Sequence, residues 1–467
     1  MQLYNTLTKK VQDFQPLTAP GVTLYTCGPT VYDYTHLGHI RKYVNDDLLK
    51  RSLNYLGYKV KHVMNITDVG HLTSDEDEGE DKLEKGAAKT GKTVWEVARF
   101  YTDFFEKTMR LVNIIPPDIT APATKHIDLM IDLISVLQQK GFVYMTDEAV
   151  YFEVSRFPSY GQLSGQNLRD KKIRARPEIR FDPGKKSPFD FALWFKRVGR
   201  FADHSMHWDS PWGDGFPGWH IECSAMSMKY LGETIDIHTG GVDHIPVHHE
   251  NEIAQSEAAT GQQFVRFFVH HQFVQVDGQK MSKSLGNFFT VNDVKQQGID
   301  PLSLRLLFMQ THYRQIINFT WNSAKAANES LKNLRALTAA FRTQTERTAL
   351  SQEKLKQLDD YRAAFMQAIN QDLQFPRAVS IMWAMTKSNL PSTDKLDLLL
   401  EFDRVLGLDL QNVITETIPP AILELANKRQ AARAENNFQT SDDLRQKIEA
   451  AGYVIEDTPS GFKVAKK

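Results

Sequence analysis

The sequence predicts an α/β fold: a parallel sheet with crossover helices, then a run of helices and a small mixed tail. Three observations carry this. Val22–Thr26 alternates β-branched and aromatic residues as a short buried strand does, and Ile40, Tyr43, Val44, Leu48 and Leu53 then recur at helical spacing as far as Leu56-Gly57. Lys59–Ile66 reads as a second strand, so strand, helix and strand make a βαβ unit. From Trp321 to Leu408 the apolar residues keep helical spacing with few strand signals, which predicts a helical bundle.

Composition narrows the class. At 467 residues the chain is too long for one ordinary core, so two to four domains are expected. The formal net charge is −1, so any nucleic-acid contact has to come from local basic patches. No apolar run is long enough to cross a bilayer, and Met1-Gln2-Leu3-Tyr4 lacks the basic and apolar regions of a signal peptide. A cytoplasmic location with no membrane contact is therefore expected. The two cysteines, Cys27 and Cys223, lie far apart, and a disulfide is disfavoured in that compartment. Inert buried thiols and a metal site both stand open.

The first βα junction runs from Cys27 to His39 and holds His36 and His39 on either side of Gly38. Ligands bind outside the carboxyl ends of such strands, where a helix N-terminus offers free N–H groups to an anion. After Asn65-Ile66-Thr67-Asp68 comes an acidic run, Asp75–Asp81, expected to be a solvated loop. Gly86–Thr93 satisfies the P-loop pattern letter for letter, but charged residues rather than a buried strand lead into it. Thr93 and Glu96 instead predict a capping box opening an amphipathic helix through Val97, Phe100, Tyr101 and Phe104.

From Pro116 to His207 the pattern changes to a helix over Ile127–Gln139, short strands such as Ala149–Val154, and a polar stretch rich in Pro and Gly. Its basic clusters, Arg169–Arg176 and Lys185-Lys186, suit phosphate contacts or plain solvated charge equally well. From Trp208 the α/β pattern resumes, with a helix through Ala225, Met228 and Leu231. A strand, Ile235–His238, leads into Gly240-Gly241-Val242-Asp243, a turn suited to close approach of a ribose whose hydroxyls Asp243 would accept. The next helix begins at His248, and His248 and Glu252 share one face of it. With Cys27 and Cys223 they make a zinc-type set of thiolate, imidazole and carboxylate donors, in which His249 competes with His248. Val269–Val276 is expected as a further strand, turning at Asp277-Gly278-Gln279 into Lys280-Met281-Ser282-Lys283-Ser284.

Two short motifs in this order, His36-Leu37-Gly38-His39 and Lys280–Ser284, resemble the paired signatures of the class I aminoacyl-tRNA synthetases. The strings Gly218–Met226 and His248–Ser256, with Leu285–Thr290, are similar to motifs of the cysteine-specific branch of that family. The resemblance implies a Rossmann-like split nucleotide-binding catalytic domain over 1–115 and 208–284, with a connective insertion at 116–207. It further implies a stem-contact helical region (285–335), an all-α bundle that binds tRNA (336–412) and a small α/β anticodon-binding tail (413–467). It selects Cys27, Cys223, His248 and Glu252 as ligands of one Zn2+. His36, His39, Lys280 and Lys283 would be catalytic. Gly38, Gly241, Asp243 and Lys283 would bind ATP with its Mg2+, with Gly38 leaving room for the adenine. Gly28, Thr67 and Trp219 would meet L-cysteine. The implied reaction is adenylation of cysteine followed by transfer to the terminal ribose of tRNA-Cys by a monomer.

The chemistry agrees with that selection. A thiolate binds zinc well and an alcohol poorly, so serine is rejected at the metal. Four protein ligands usually mark a closed structural site. Either the ion expands to five ligands, or Glu252 yields to the substrate. Val69-Gly70-His71 stands where many relatives carry further acidic residues, which leaves that loop's role open. Two rivals remain: a ligase joining cysteine to an amino sugar, which lacks a full anticodon-binding region, and a non-catalytic tRNA-binding protein with structural zinc. The long tail and the four motif residues His36, His39, Lys280 and Lys283 speak against both.

Overall fold

Gly21–Thr26 is buried through most of its length and lies at the middle of a five-stranded parallel sheet in a computed structural model. The order across the sheet is Val265–His271, Ile235–Gly241, Gly21–Thr26, Lys59–Ile66 and Ile119–Pro122, every neighbour parallel. Chain order thus runs outward in both directions from the pair Gly21–Thr26 and Ile235–Gly241. Right-handed crossovers then put Leu37–Tyr55 on one face and His248–Thr260 on the other, with Trp219–Leu231 packed beside the latter. The sheet and its helices belong to a unit spanning Met1–Gln411; Asn412–Lys467 forms a second. The structure describes residues 1–70, 72, 81–166, 182–413, 418–458 and 461–466. The basic cluster Arg169–Arg176 and most of the acidic run, residues 75–80, lie outside the described residues.

Asp81, the last residue of that run, is not solvated. It is buried, caps helix Lys82–Thr90 through Leu83 N and Glu84 N, and pairs with buried His204 at 3.1 Å. An Asp that satisfies orphan helix N–H groups is held inside by them. The P-loop look-alike is the end of that same helix: Gly91, at φ +66°, stops it, and Thr93 and Glu96 form the capping box that starts Val94–Leu111.

Between the third and fourth parallel strands an antiparallel sheet is inserted, in the order Val143–Met145, Ala149–Phe152, Phe191–Lys196, Gly215–Pro217. It therefore continues past residue 207 to Pro217. Lys186 lies in the connection leading into Phe191–Lys196, paired to Glu153 at 3.0 Å and over the Tyr144 ring. The single strand expected over Val269–Val276 is two. Val265–His271 ends in the parallel sheet, and Val274–Val276 pairs with Ile317–Phe319 and Gln279–Lys280 in a second, three-stranded sheet. The break is enforced by Gln272, whose N–H donates to Tyr313 O at 2.9 Å instead of to a sheet neighbour.

Helices Trp321–Arg342, Gln352–Asn370, Phe375–Thr386 and Ser392–Leu406 follow Pro301–Met309. Two buried guanidinium groups tie these parts to helix Leu37–Tyr55. Arg41 donates to the carbonyls of Gln272, Phe273, His312 and Gln315 at 2.6–3.1 Å. Arg305 donates to the Leu406 and Val112 carbonyls and pairs with Asp47. In the second unit, helices Pro420–Ala434 and Phe438–Ala450 pack Ile422, Ala426 and Ile448 on Ile455 of the hairpin Tyr453–Thr458/Gly461–Lys466. Arg429 grips Asp457 with two hydrogen bonds, 2.6 and 3.0 Å. Among the described residues no helix is long and apolar enough to cross a membrane.

Removing Arg305 takes away one of the two guanidinium partners of the buried Asp47 carboxylate, which keeps Arg51 at 2.7 Å and the Ile115 N–H at 2.9 Å. Arg305→Ala is expected to destabilise the first unit by about 3 kcal/mol, the low end for a broken buried pair. The measurement is the urea-unfolding midpoint followed by tryptophan fluorescence; an unchanged midpoint would refute this reading of the joint.

Candidate active site and metal centre

The strand order reverses between Gly21–Thr26 and Ile235–Gly241, and a crevice opens outside the carboxyl ends at such a switch point. Cys27 follows the first of these strands, its N–H held by Thr239 O of the other at 3.1 Å. Cys223 lies one turn into helix Trp219–Leu231, and His248 and Glu252 lie in the first turns of the helix that leaves the second strand. Three segments distant in sequence thus deliver four donors, two sulfurs, a nitrogen and an oxygen, all within 4.8 Å of one another and all buried.

The electrostatics of the four are mutual. Burial pushes the Cys223 thiol up, and the neighbouring Cys27 pushes it further. Burial acts on Cys27 too, but the Cys223 hydrogen bond and the neighbouring His249 and His238 imidazoles outweigh it and hold Cys27 well below a free thiol. Against the cost of burial, Glu252 raises His248 to about 10, while His238 and His248 hold Glu252 down to about 2. His248 Nε2 lies 2.8 Å from Glu252 Oε1. A thiolate, a second thiol and a carboxylate gathered on one imidazolium proton are a donor set that a divalent cation satisfies by displacing the protons. The span of the donor atoms suits a tetrahedral zinc sphere, whose ligands sit about 2.0–2.3 Å from the ion.

A second set, Cys27, His238, His249 and Glu252, is equally compact. The second set holds one sulfur where the first holds two, and both of its imidazoles are hydrogen-bonded. His238 Nε2 is engaged by Glu252 Oε2 at 2.6 Å, and His249 Nδ1 by His270 Nε2 at 2.8 Å, which continues to Thr6 Oγ1 at 2.8 Å. Burial lowers His249 to about 4, so it is neutral. The first set has two sulfurs, and its His248 is steadied through Nδ1 by His220 at 3.0 Å, with Nε2 facing Glu252. Gly240 makes room: a Cβ there would lie 2.6 Å from the His249 ring and 2.8 Å from that of His244.

Beside this centre lie the residues of the two short motifs. His36 caps helix Leu37–Tyr55, its Nδ1 accepting from Gly38 N at 3.0 Å, and stacks on His39 with centroids 3.7 Å apart. Burial lowers His36 to about 4 and His39 well below its usual range, so both are neutral hydrogen-bonding groups at pH 7. The charges of Asp33, Asp243 and Lys283 all act on His36. Lys283 pairs with Asp33, and its ammonium lies 5.1 Å from the Phe288 ring, which meets His36 edge-on at 4.9 Å. Leu37 N donates to Phe289 O at 2.9 Å, joining the lysine loop to the helix start. Lys280 stays exposed at the end of its short strand, with its carbonyl engaged by Asn287 at 3.2 Å. A Cβ at Gly241 would lie 2.2 Å from Asp243 Oδ1, and one at Gly38 2.8 Å from the His36 ring.

The remaining expected residues line the same edge. Gly28 N donates to Asn65 Oδ1 at 2.6 Å, Asn65 Nδ2 to Thr67 Oγ1 at 3.0 Å, and Thr67 Oγ1 to Glu222 Oε2 at 2.8 Å. This relay links the first two strands to the helix that carries Cys223. Trp219 packs its ring 4.2 Å from His248. Sequence reasoning missed His220, His238 and His270, which brace the donors, and Lys42, which donates to the Cys27 carbonyl and pairs with Asp46 at 2.8 Å. Asp46 in turn holds His271 at 2.8 Å. A signal existed in His238 and His270, imidazoles within strands that are buried along nearly their whole length.

The family model described as tRNA synthetases class I (C) catalytic domain matches residues 13–329. A "Cysteine--tRNA ligase" of Treponema denticola is 42% identical over 487 aligned positions, covering 98% of each chain. A "Cysteine--tRNA ligase 1" of Burkholderia lata is 44% identical over 467, covering 99% of this chain and 96% of its own. Among solved structures, the methionyl-tRNA synthetase of Mycobacterium tuberculosis with methionyl-adenylate superposes with a TM-score of 0.57 at 15% identity, covering 86% of this chain and 92% of its own. A LeuRS of Agrobacterium radiobacter K84, solved with tRNA and LeuAMS, gives 0.61 at 13% identity and covers 86% and 85%. These two likenesses speak for the fold.

The two donor sets make different demands. Cys223→Ser is expected to weaken zinc binding by at least about tenfold, whereas His249→Ala leaves the zinc content of the purified chain near that of the parent. Elemental analysis after gel filtration measures both. Loss on His249→Ala with retention on Cys223→Ser would assign the second set instead.

Proposed function

The chain belongs to the class I tRNA synthetases, among the cysteine–tRNA ligases, and on that footing we propose that it activates L-cysteine with ATP and transfers it to the 3′-terminal ribose of tRNA-Cys. One observation supports this reading above the others: the sulfurs of Cys27 and Cys223 meet beside His248 and Glu252 at the edge where a nucleotide would bind. Bound there, zinc supplies a Lewis acid that takes a substrate thiolate and leaves a serine hydroxyl poorly bound. A site built to engage one polar group rejects analogues lacking it by about 10⁴–10⁵.

In this reading Cys27, Cys223 and His248 hold the ion. Glu252 would be the ligand to give way to cysteine, because His238 already grips its other oxygen and would keep the freed carboxylate partnered. Trp219, beside His248, and the Gly28–Thr67 edge enclose the amino acid. Gly38 leaves space for the adenine, and Gly241 with Asp243 takes the ribose hydroxyls. His36 and His39, neutral and stacked, donate hydrogen bonds to the α-phosphate as the carboxylate attacks, with charge spread over the departing pyrophosphate and its Mg2+. Lys283 leaves Asp33 for the phosphates and Lys280 follows on the same loop, stabilising charge that builds only in the transition state. The helical regions after residue 285 and the tail from 413 contact the tRNA. Relatives that share this chain's whole length favour tRNA over an amino sugar as acceptor.

Charging of total tRNA with labelled cysteine, with and without a chelator, tests the whole reading. Chelator-sensitive charging with cysteine and none with serine is expected; equal charging with serine would overturn it. Lys283→Ala should lower the maximal rate of cysteine-dependent ATP–pyrophosphate exchange by at least about tenfold, roughly 1.4 kcal/mol. An unaffected rate would remove that residue from the chemistry. X-ray absorption at the zinc edge should gain one zinc–sulfur contact and lose one oxygen when cysteine is added. An unchanged sulfur count would refute the role given to Glu252.

A further inference from the structure

The lysine loop's resting partner, Asp33, opens onto a surface that the reaction scheme leaves unused. Tyr34, next in the chain, meets Phe100, Tyr101 and Phe104 edge-to-face at centroid distances of 6.1, 5.1 and 4.9 Å. Clusters of this kind are ordinarily core, yet Tyr34 and Phe100 are 40% and 42% exposed. At the outer end the Lys92 ammonium lies 4.9 Å from the centroid of the Phe100 ring. At the inner end come Lys283, Phe288 and then His36. Rings and ammonium groups therefore alternate from the solvent rim to the histidine pair. Among the described residues three carboxylates flank this track: Glu96, engaged with Thr93 N and Oγ1, Asp33, paired with Lys283, and Asp243, which acts on His36 at the inner end.

Alternating cations and exposed aromatic faces are what an unpaired nucleic-acid strand binds, the bases stacking and the phosphates meeting the cations. A folded protein partner would leave no reason for the track to end at a phosphate-handling site. We propose that the ledge formed by Tyr34 and Phe100, with Lys92 at its rim, seats the single-stranded 3′ end of the tRNA and leads it to the adenylate. This rests on the reading above and adds to it a residue-level path for the acceptor end. Lys283 serves both ends of that path: it leaves Asp33 during activation, so the inner part of the track gains an unpaired carboxylate until the loop returns. Activation and 3′-end entry are thereby kept in order.

The test uses the full chain with zinc, and the double variant Tyr34→Ala/Phe100→Ala beside Phe100→Trp. Cysteine-dependent ATP–pyrophosphate exchange without tRNA should stay within about twofold of the parent for both. For the double variant, kcat/KM for charging of a tRNA-Cys transcript should fall about tenfold or more, the scale of one lost stacked base. Phe100→Trp should charge as the parent does. A transcript lacking its unpaired 3′ nucleotides should inhibit parent and double variant equally. Undiminished charging by the double variant would overturn the proposal, as would a parallel loss of exchange, which would mean the ledge supports the nucleotide site rather than RNA. Failure of the parent itself to exchange or charge would instead overturn the functional reading on which this rests.

Discussion

Everything at the catalytic edge hangs on the meeting of two sulfurs. Cys27 ends the first central strand and Cys223 lies in a helix entered almost two hundred residues later, so their contact exists only when both halves of the sheet are complete. The buried thiolate this creates is costly unless a positive charge answers it. The answer is a set of imidazoles, His238 facing Cys27 and Glu252 and His248 on Glu252, and a cation is the natural replacement for their shared protons. Folding of the split domain and assembly of the centre are one event in physical terms.

The same burial acts oppositely a few ångströms away. Among the described residues no carboxylate hydrogen-bonds His36 or His39 as Glu252 does His248, so desolvation wins and both are neutral. One histidine cluster is thus tuned to hold charge and the other to donate hydrogen bonds without it. The difference comes from the partner and not from the residue type, as expected when burial and a nearby opposite charge compete. Lys283 stands between these regimes, more than half exposed and tethered to Asp33.

Helix Leu37–Tyr55 carries the mechanical side. Its first turn holds the histidine pair, Lys42 braces the Cys27 carbonyl, Arg41 collects four carbonyls from the segments around residues 272 and 315, and Asp47 meets Arg305 and the end of the bundle. Guanidinium groups suit such joints because one planar fork satisfies several backbone acceptors at once. Displacement of the bundle therefore reaches the catalytic helix through charged, hydrogen-bonded contacts as well as through the packing of Tyr55 on Phe365.

Local pattern alone determined much of this. Strand Lys59–Ile66, helix Ile127–Gln139, the capping box at Thr93 and the rejection of the P-loop string were legible because each depends on residues a few positions apart. The donor set was nameable from residue chemistry, and likeness to known motifs chose His248 over His249, but His238 behind Glu252 was not legible. The fate of Asp81, the division of the strand after His271, and the ledge at Tyr34 were decided by tertiary structure. The physical reason is common to all three. A side chain's burial and charge are set by partners distant in the chain, and periodicity reports only which face a residue shares with its near neighbours.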